Sequence, residues 1–354
     1  MKKEENVIVG ISIGDLNGIG GEIVLKTVED SRTLEFFTPV IFASVKTISF
    51  LKNHFNLDIS FNGINKLSDI VHGKINVFNA WQEKVDINFG EEDPKMGELA
   101  IKSLEEATKA LKSDAIDVLV TAPINKHNIQ SDTFKFPGHT DFLNKELEGE
   151  SLMFMVSNGL KVGLLTDHVP VKDISKNITK SLIDKKINTV YSTLQMDFNI
   201  RRPKIAVLGI NPHTGDNGVI GKEDDTVLRP ALKELVDSGK LVYGPYAADS
   251  FFGSGNYKNF DAIIAAYHDQ GLIPFKTLSF GKGVNYTAGL SKIRTSPDHG
   301  TAYEIAGKGE ANESSFKEAI FTAITIVKKC QGLTPASLLA GRYWLVNPSA
   351  WHAP

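Results

Sequence analysis

Apolar residues fall into short unbroken runs that alternate with stretches of helical spacing. Residues 7–13 (VIVGISI) form the first run, 40–43 the second and 116–120 a third. Runs this short and continuous predict strands buried on both faces, as in a parallel sheet. Between them, residues 22–28, opened by Gly20 and Gly21, and residues 45–55 read as helices. Ile101, Leu104, Ala107 and Leu111 recur at helical period across residues 98–111. The rhythm returns later, with strands at 153–156, 162–165, 205–210 and 262–266 and helices at 174–194, 226–236 and 313–329. This alternation predicts an α/β fold, its sheet parallel or mixed and covered by helices.

A chain of 354 residues suggests about two domains. We expect residues 1–135 with 290–340 to form a first α/β domain, 136–289 a second, and 341–354 a tail without pattern. Formal net charge is -3, so no global basic field favours nucleic acid or an anionic membrane as partner. No apolar run approaches the ~20 residues of a membrane span, and the opening residues read as a first strand rather than a signal peptide. Cys330 is the single cysteine, which rules out an internal disulfide and fits a reducing, cytoplasmic setting.

The candidate chemistry lies where strands end. The run at 262–266 delivers His268 and Asp269, followed by Lys276, Asn285, Arg294 and the pair Asp298-His299. His168 (in TDHVP) and His213 (in NPHTG) occupy comparable turns. Open α/β sheets build their sites beyond the carboxyl ends of strands. Three imidazoles would make a catalytic metal site with one position left open. The competing reading, in which each imidazole bonds its own turn, stays open, because no H-x-x-x-H or C-x-x-C spacing ties them together. Lys276, Asn285 and Arg294 suit an anionic substrate, and Gly281, Gly283 and Gly289 allow a loop to wrap one; the alternative is a solvated loop. In Phe136-Pro137-Gly138-His139-Thr140-Asp141, Thr140 or Asp141 reads as a helix N-cap. The free N–H groups of that helix start, with His139 beside them, would also suit an anion. The loop 14–21 (GDLNGIGG) fails the G-x-G-x-x-G pattern, since Ile23 stands where the third glycine belongs, and marks a tight strand-to-helix turn. Lys126, in TAPINK, is a phosphate ligand or merely exposed.

In order along the chain, GDLNGIGGEIVLK, TAPINK, FPGHTDFL, TDHVPV, LGINPHTGDNGVIGKED and the run from AYHDQGLIPFK to TSPDHGTAYEIAG resemble the 4-hydroxythreonine-4-phosphate dehydrogenases of vitamin B6 biosynthesis. The resemblance implies two α/β/α domains of the isocitrate/isopropylmalate-dehydrogenase type, with the active site in the interdomain cleft, and a homodimer whose sites are shared across the interface. It implies that His168, His213 and His268 hold a divalent metal, zinc first, with magnesium or cobalt as alternatives. It assigns a small phosphorylated substrate to His139, Thr140, Lys276, Asn285 and Arg294, and places Asp249 and Asp269 in the site. Lys276, Asp269 and Asp249 are then the candidate catalytic residues. The cofactor implied is NAD or NADP, bound without a Rossmann fingerprint. One departure is visible: many members carry a proline in the first loop, which here reads Asp-Leu-Asn-Gly-Ile-Gly-Gly. The expected reaction is oxidation of 4-phosphooxy-L-threonine with decarboxylation. The rivals are a dehydrogenase for threonate or erythronate 4-phosphate and a non-catalytic metal- or phosphate-binding module.

Overall fold

A computed structural model of the chain describes residues 6–132, 134–279 and 281–331; the expected tail at 341–354 lies outside them. Its strands, in chain order, are β1 Val7–Ser12, β2 Phe37–Ala43, β3 Phe61–Ile64, β4 Ile75–Asn79, β5 Val118–Thr121, β6 Gly149–Ser157, β7 Leu160–Leu164, β8 Lys204–Leu208, β9 Leu241–Tyr246, β10 Ala262–Ala265, β11 Val284–Leu290 and β12 Ile293–Pro297. Contacts divide the described chain into two units, residues 6–148 with 292–328 and residues 149–291 with 329–331.

In the first unit the strand order is β3-β4-β2-β1-β5-β12 and every neighbouring pair is parallel. β2 is buried at every position, as expected of a strand covered on both faces. Helix Pro94–Lys112 packs on β1, β2 and β5. It begins where Asp93 caps the Lys95 N–H and Pro94 takes the first turn, which needs no donor there. Its Ser103 hydroxyl is buried, donating to the Phe42 carbonyl at 2.6 Å and accepting from the Ile13 N–H at 3.0 Å.

In the second unit the order is β11-β6-β7-β10-β8-β9. β11, β6 and β7 pair antiparallel, and β7, β10, β8 and β9 run parallel. Its core joins Val162 and Leu164 of β7, Ile263 and Ala265 of β10 and Ala206 and Leu208 of β8 to Leu272 and Phe275 of helix His268–Leu278.

The α/β expectation is confirmed, with local corrections. The helix expected over 174–194 is two, Ile174–Asn177 and Lys180–Met196. Between them Thr179 is extended and its side chain caps the Leu182 N–H at 3.2 Å, an alternative to helical bonding that threonine offers readily. Lys276 and Asn285 are not loop residues: Lys276 is in the last turn of helix His268–Leu278 and Asn285 is in β11. Gly289 lies at φ +80° in β11, where a Cβ would lie 2.2 Å from the Glu150 carbonyl oxygen, so the close pairing with β6 itself requires glycine there. Among the described residues no helix is long and apolar enough to cross a membrane.

The turn after β1 is closed by the chain itself. Asp15 N–H donates to Pro123 O at 2.9 Å and Ile19 N–H to Thr301 O at 3.0 Å. Gly14 sits at φ +73°, and a Cβ there would meet Pro123 O at 2.3 Å. Gly14→Ala therefore combines a left-handed backbone with a backbone clash. We expect a loss of about 2–3 kcal/mol in urea unfolding; a loss below about 0.5 kcal/mol would contradict the close approach.

Candidate active site

In the second unit the three expected metal histidines leave three neighbouring parallel strands, β7, β10 and β8, all at their carboxyl ends. The chain brings His168 and His268 together: their ring centroids are 5.8 Å apart. One ion bonded to two imidazole nitrogens at about 2.0–2.1 Å would put the ring centres about 5–6 Å apart, so this pair matches. His268 opens helix His268–Leu278 rather than sitting in a turn. Asp269 Oδ1 lies 2.7 Å from its Nδ1. An ionised carboxylate only accepts, so in the neutral ring this contact puts the proton on Nδ1 and leaves the Nε2 lone pair for a metal ion. Asp167, beside His168, has a buried Oδ1 without a hydrogen-bond partner and an Oδ2 3.8 Å from Lys186 Nζ.

No ring contact among the described residues joins His213 to that pair. Among the described residues no three His, Cys, Asp or Glu side chains form a ready-made metal cluster. Its segment, Pro212–Gly218, winds left-handed through His213, Thr214, Gly215, Asp216 and Asn217 at φ between 45° and 84°. Each non-glycine residue in that region costs on the order of 1 kcal/mol, and such strain persists only where the surroundings enforce it. The donor set thus suits a divalent ion in chemistry, in strand placement and in one spacing of the set. Lys276 and Asp249 are both exposed, Asp249 in the first turn of helix Ala248–Gly253. Asn285 is half-buried, with an Oδ1 closed to solvent and without a hydrogen-bond partner.

In the first unit the structure gathers His139 and Arg294 with Thr121 and Lys126. Arg294 lies on β12, 2% exposed, and its Nη2 donates to Thr121 Oγ1 at 2.5 Å. Burial pulls its guanidinium down to about 9, so it stays cationic at neutral pH. His139 opens helix His139–Glu146; Gly138 is the N-cap residue and no side chain caps, so neither Thr140 nor Asp141 has the expected capping role. Burial, then the positive charges of Arg294 and Lys126, hold the His139 imidazole well below its ordinary range and therefore neutral. Its Nε2 is closed to solvent without a hydrogen-bond partner. Lys126 is exposed, which leaves its role as a ligand untouched while its charge reaches His139. A neutral imidazole beside a buried guanidinium is an arrangement that accepts an anion.

The same unit has a second polar cluster around Asp15, fully buried on the turn after β1. Tyr303 OH donates to Asp15 Oδ2 at 2.7 Å, Asn128 Nδ2 donates to it at 3.3 Å, and the Asn17 N–H donates to Oδ1 at 2.9 Å. Burial, the largest influence, raises the Asp15 carboxyl despite these bonds, and burial with the Asp15 contact raises the Tyr303 phenol. Asn17 in turn holds residues 88–91, accepting from Asn88 N–H and donating to Glu91 O, both at 2.9 Å. Thr121, Asn128 and Tyr303 were not among the expected site residues. TAPINK flagged only the segment, and no spacing signals a tyrosine that reaches back to residue 15.

A family model described as pyridoxal phosphate biosynthetic protein PdxA matches residues 35–323. The chain is 47% identical over 331 residues to a 4-hydroxythreonine-4-phosphate dehydrogenase of Bacteroides thetaiotaomicron, covering 93% of this chain and 91% of the relative. It is 35% identical to a D-threonate 4-phosphate dehydrogenase of Cupriavidus necator, covering 88% and 95% of the two chains. Among solved structures, a 4-hydroxythreonine-4-phosphate dehydrogenase from Klebsiella pneumoniae superposes with TM-score 0.79 at 30% identity, covering 92% of this chain and 99% of that one.

The neutral state of His139 has a pH signature. Its folded-state affinity for protons is depressed, while the unfolded chain takes one up near the ordinary value of 6.5. The stability that this difference contributes is intact above that value and erodes as pH falls below it. Between about pH 7 and 5.5 the thermal midpoint of His139→Asn should fall less than that of the wild type. Parallel profiles would contradict a neutral imidazole at His139.

Proposed function

Because the chain belongs to the family of the pyridoxal phosphate biosynthetic protein PdxA, we propose that it is a cytoplasmic NAD- or NADP-linked dehydrogenase acting on 4-phosphooxy-L-threonine. The secondary hydroxyl is oxidised, the C–H leaving as hydride and the O–H as a proton. The resulting β-keto acid loses CO₂ to give 3-amino-2-oxopropyl phosphate. The observation that carries this reading is the pairing of buried Arg294 with neutral His139, an anion-accepting arrangement in a chain 47% identical to an enzyme named for a phosphorylated hydroxy amino acid.

When bound, the nicotinamide would supply a hydride acceptor, and a divalent ion, zinc first, with magnesium or cobalt as alternatives, would be held by His168, His213 and His268 and would supply Lewis acidity at the alcohol. The chain's own residues do the rest. Arg294 offers a planar fork to a phosphate or carboxylate and cannot lose its charge at neutral pH. His139 and the Thr140 hydroxyl offer neutral hydrogen bonds beside it, and Asn285 and Lys276 hold polar ends of the substrate. Lys276, at the end of its helix, carries a proton to the carbon that loses CO₂. Asp269 steers His268 through the 2.7 Å contact at Nδ1, and with Asp249 it is the acidic partner for the hydroxyl proton. We assign the active form to a homodimer, which light scattering on the purified protein tests directly.

A second reading has a specific motive: relatives named D-threonate 4-phosphate dehydrogenase cover 88–90% of the chain. The two substrates differ where one carries an amine and the other a hydroxyl. Parallel turnover of both, followed by NADH or NADPH absorbance with and without a chelator, separates the readings. We expect chelator-sensitive turnover favouring the amino substrate; preference for the sugar acid would transfer the assignment, and no turnover of either would remove it. Arg294→Lys should raise KM for the phosphorylated substrate by about 10–100-fold, the loss of a charge-assisted contact. An unchanged KM would place the anion elsewhere.

A further inference from the structure

The three histidine-bearing strand ends of the second unit are joined beyond their ladders, by a different bond on each side of β10. Towards β7, Leu165 N–H donates to Ala265 O at 2.9 Å, Thr166 N–H to Ala266 O at 3.2 Å and the Thr166 hydroxyl to Ala266 O at 2.7 Å. These bonds tie the exit to His168 directly to the exit to His268. Towards β8 the bridge is a side chain. Gln270, two residues after His268, accepts the Ala266 N–H through Oε1 at 2.7 Å and donates through Nε2 to Gly209 O at 2.8 Å. Gly209 is the residue after β8, where the chain turns towards His213.

That turn has its own clamp. The Asp224 carboxylate is fully buried and accepts three donors from the residues just before His213: Ile210 N–H at 2.8 Å on Oδ1, and Asn211 N–H at 2.9 Å and Asn211 Nδ2 at 3.0 Å on Oδ2. Both oxygens are thereby engaged by the chain, which removes Asp224 as a ligand itself and makes it a holder of backbone. The left-handed run from His213 to Asn217 follows at once. A β-branched threonine such as Thr214 does not adopt that conformation unaided.

We propose that Gln270 and Asp224 are positioning residues for the metal-ligand set. Gln270 couples the His213 strand end to the His268 strand end, and Asp224 fixes the turn from which His213 projects. The proposal rests on the reading of His168, His213 and His268 as metal ligands. It adds that metal affinity depends on two side chains that touch no metal.

The test uses Gln270→Met, which keeps the volume and removes both hydrogen bonds, and Asp224→Asn, which keeps the shape and disturbs the three-donor pattern. Co²⁺ is titrated into metal-stripped full-length protein, its visible ligand-field band recorded and its affinity measured by chelator competition. Thermal unfolding of the metal-free variants is measured alongside. We expect Co²⁺ to bind about 10–100-fold more weakly in each variant, the usual cost of losing a residue that orients ligands, with an altered band. Wild-type affinity and band in Gln270→Met would overturn the proposal, as would a lowered unfolding midpoint with unchanged Co²⁺ affinity, which marks a purely architectural role. Should Asp224→Asn fail to fold, Gln270→Met decides alone. Wild-type protein whose Co²⁺ binding is absent, or is untouched by His168→Ala, would instead refute the ligand reading and take this proposal with it.

Discussion

Parallel strands end in backbone donors and acceptors that the ladder no longer pairs, and a buried group of that kind left alone costs about 1–3 kcal/mol. The candidate site residues of the second unit stand beside groups of this kind. In the second unit Thr166, Gln270 and Asp224 take them up around β7, β10 and β8. In the first unit the Asp15 N–H pairs with Pro123 O, joining the exits of β1 and β5, and the Asp15 carboxylate accepts from the Asn17 N–H and from the Asn128 and Tyr303 side chains. The three histidine segments leave the sheet at these fixed points, so a polar network set by the fold's own hydrogen-bond requirement determines where those segments start.

Electrostatics follow from the same burial. Arg294 pays for its place on a buried strand with a guanidinium pulled down to about 9, yet it remains charged at the pH at which an enzyme works. A desolvated cation interacts far more strongly with an incoming anion than an exposed one, because water no longer screens it. His139 bears the complementary consequence: beside Arg294 and Lys126 it stays neutral and adds hydrogen bonding without further charge. The left-handed run from His213 to Asn217 is backbone strain of the kind that persists only where the surroundings enforce it.

Much of this was legible in the chain. Short apolar runs such as VIVGIS and AIIA became strands because parallel strands bury both faces, and 3.6-residue spacing located the helix over residues 94–112. Histidines placed soon after such runs pointed to strand ends, and His168, His213 and His268 do follow β7, β8 and β10. What stayed hidden has physical reasons. β12 (IRTSP) carries an arginine and a serine, so no apolar run announced a strand buried at every position. Thr140 and Asp141 had capping chemistry, but the helix opens at His139 behind Gly138, which puts both inside its first turn. The break at Thr179 depended on a side chain choosing the backbone over continuing the helix. Gln270 and Asp224 escaped notice because their partners are backbone groups 4 to 61 residues away, and no spacing rule encodes such bonds.

The central claim is that His168, His213 and His268 serve a single divalent ion. Crystals soaked with Co²⁺ and measured at its absorption edge test it most directly. The account predicts one anomalous peak within coordinating distance of all three imidazoles, on the Nε2 side of His268. A peak shared by His168 and His268 without His213, or none at all, would contradict it.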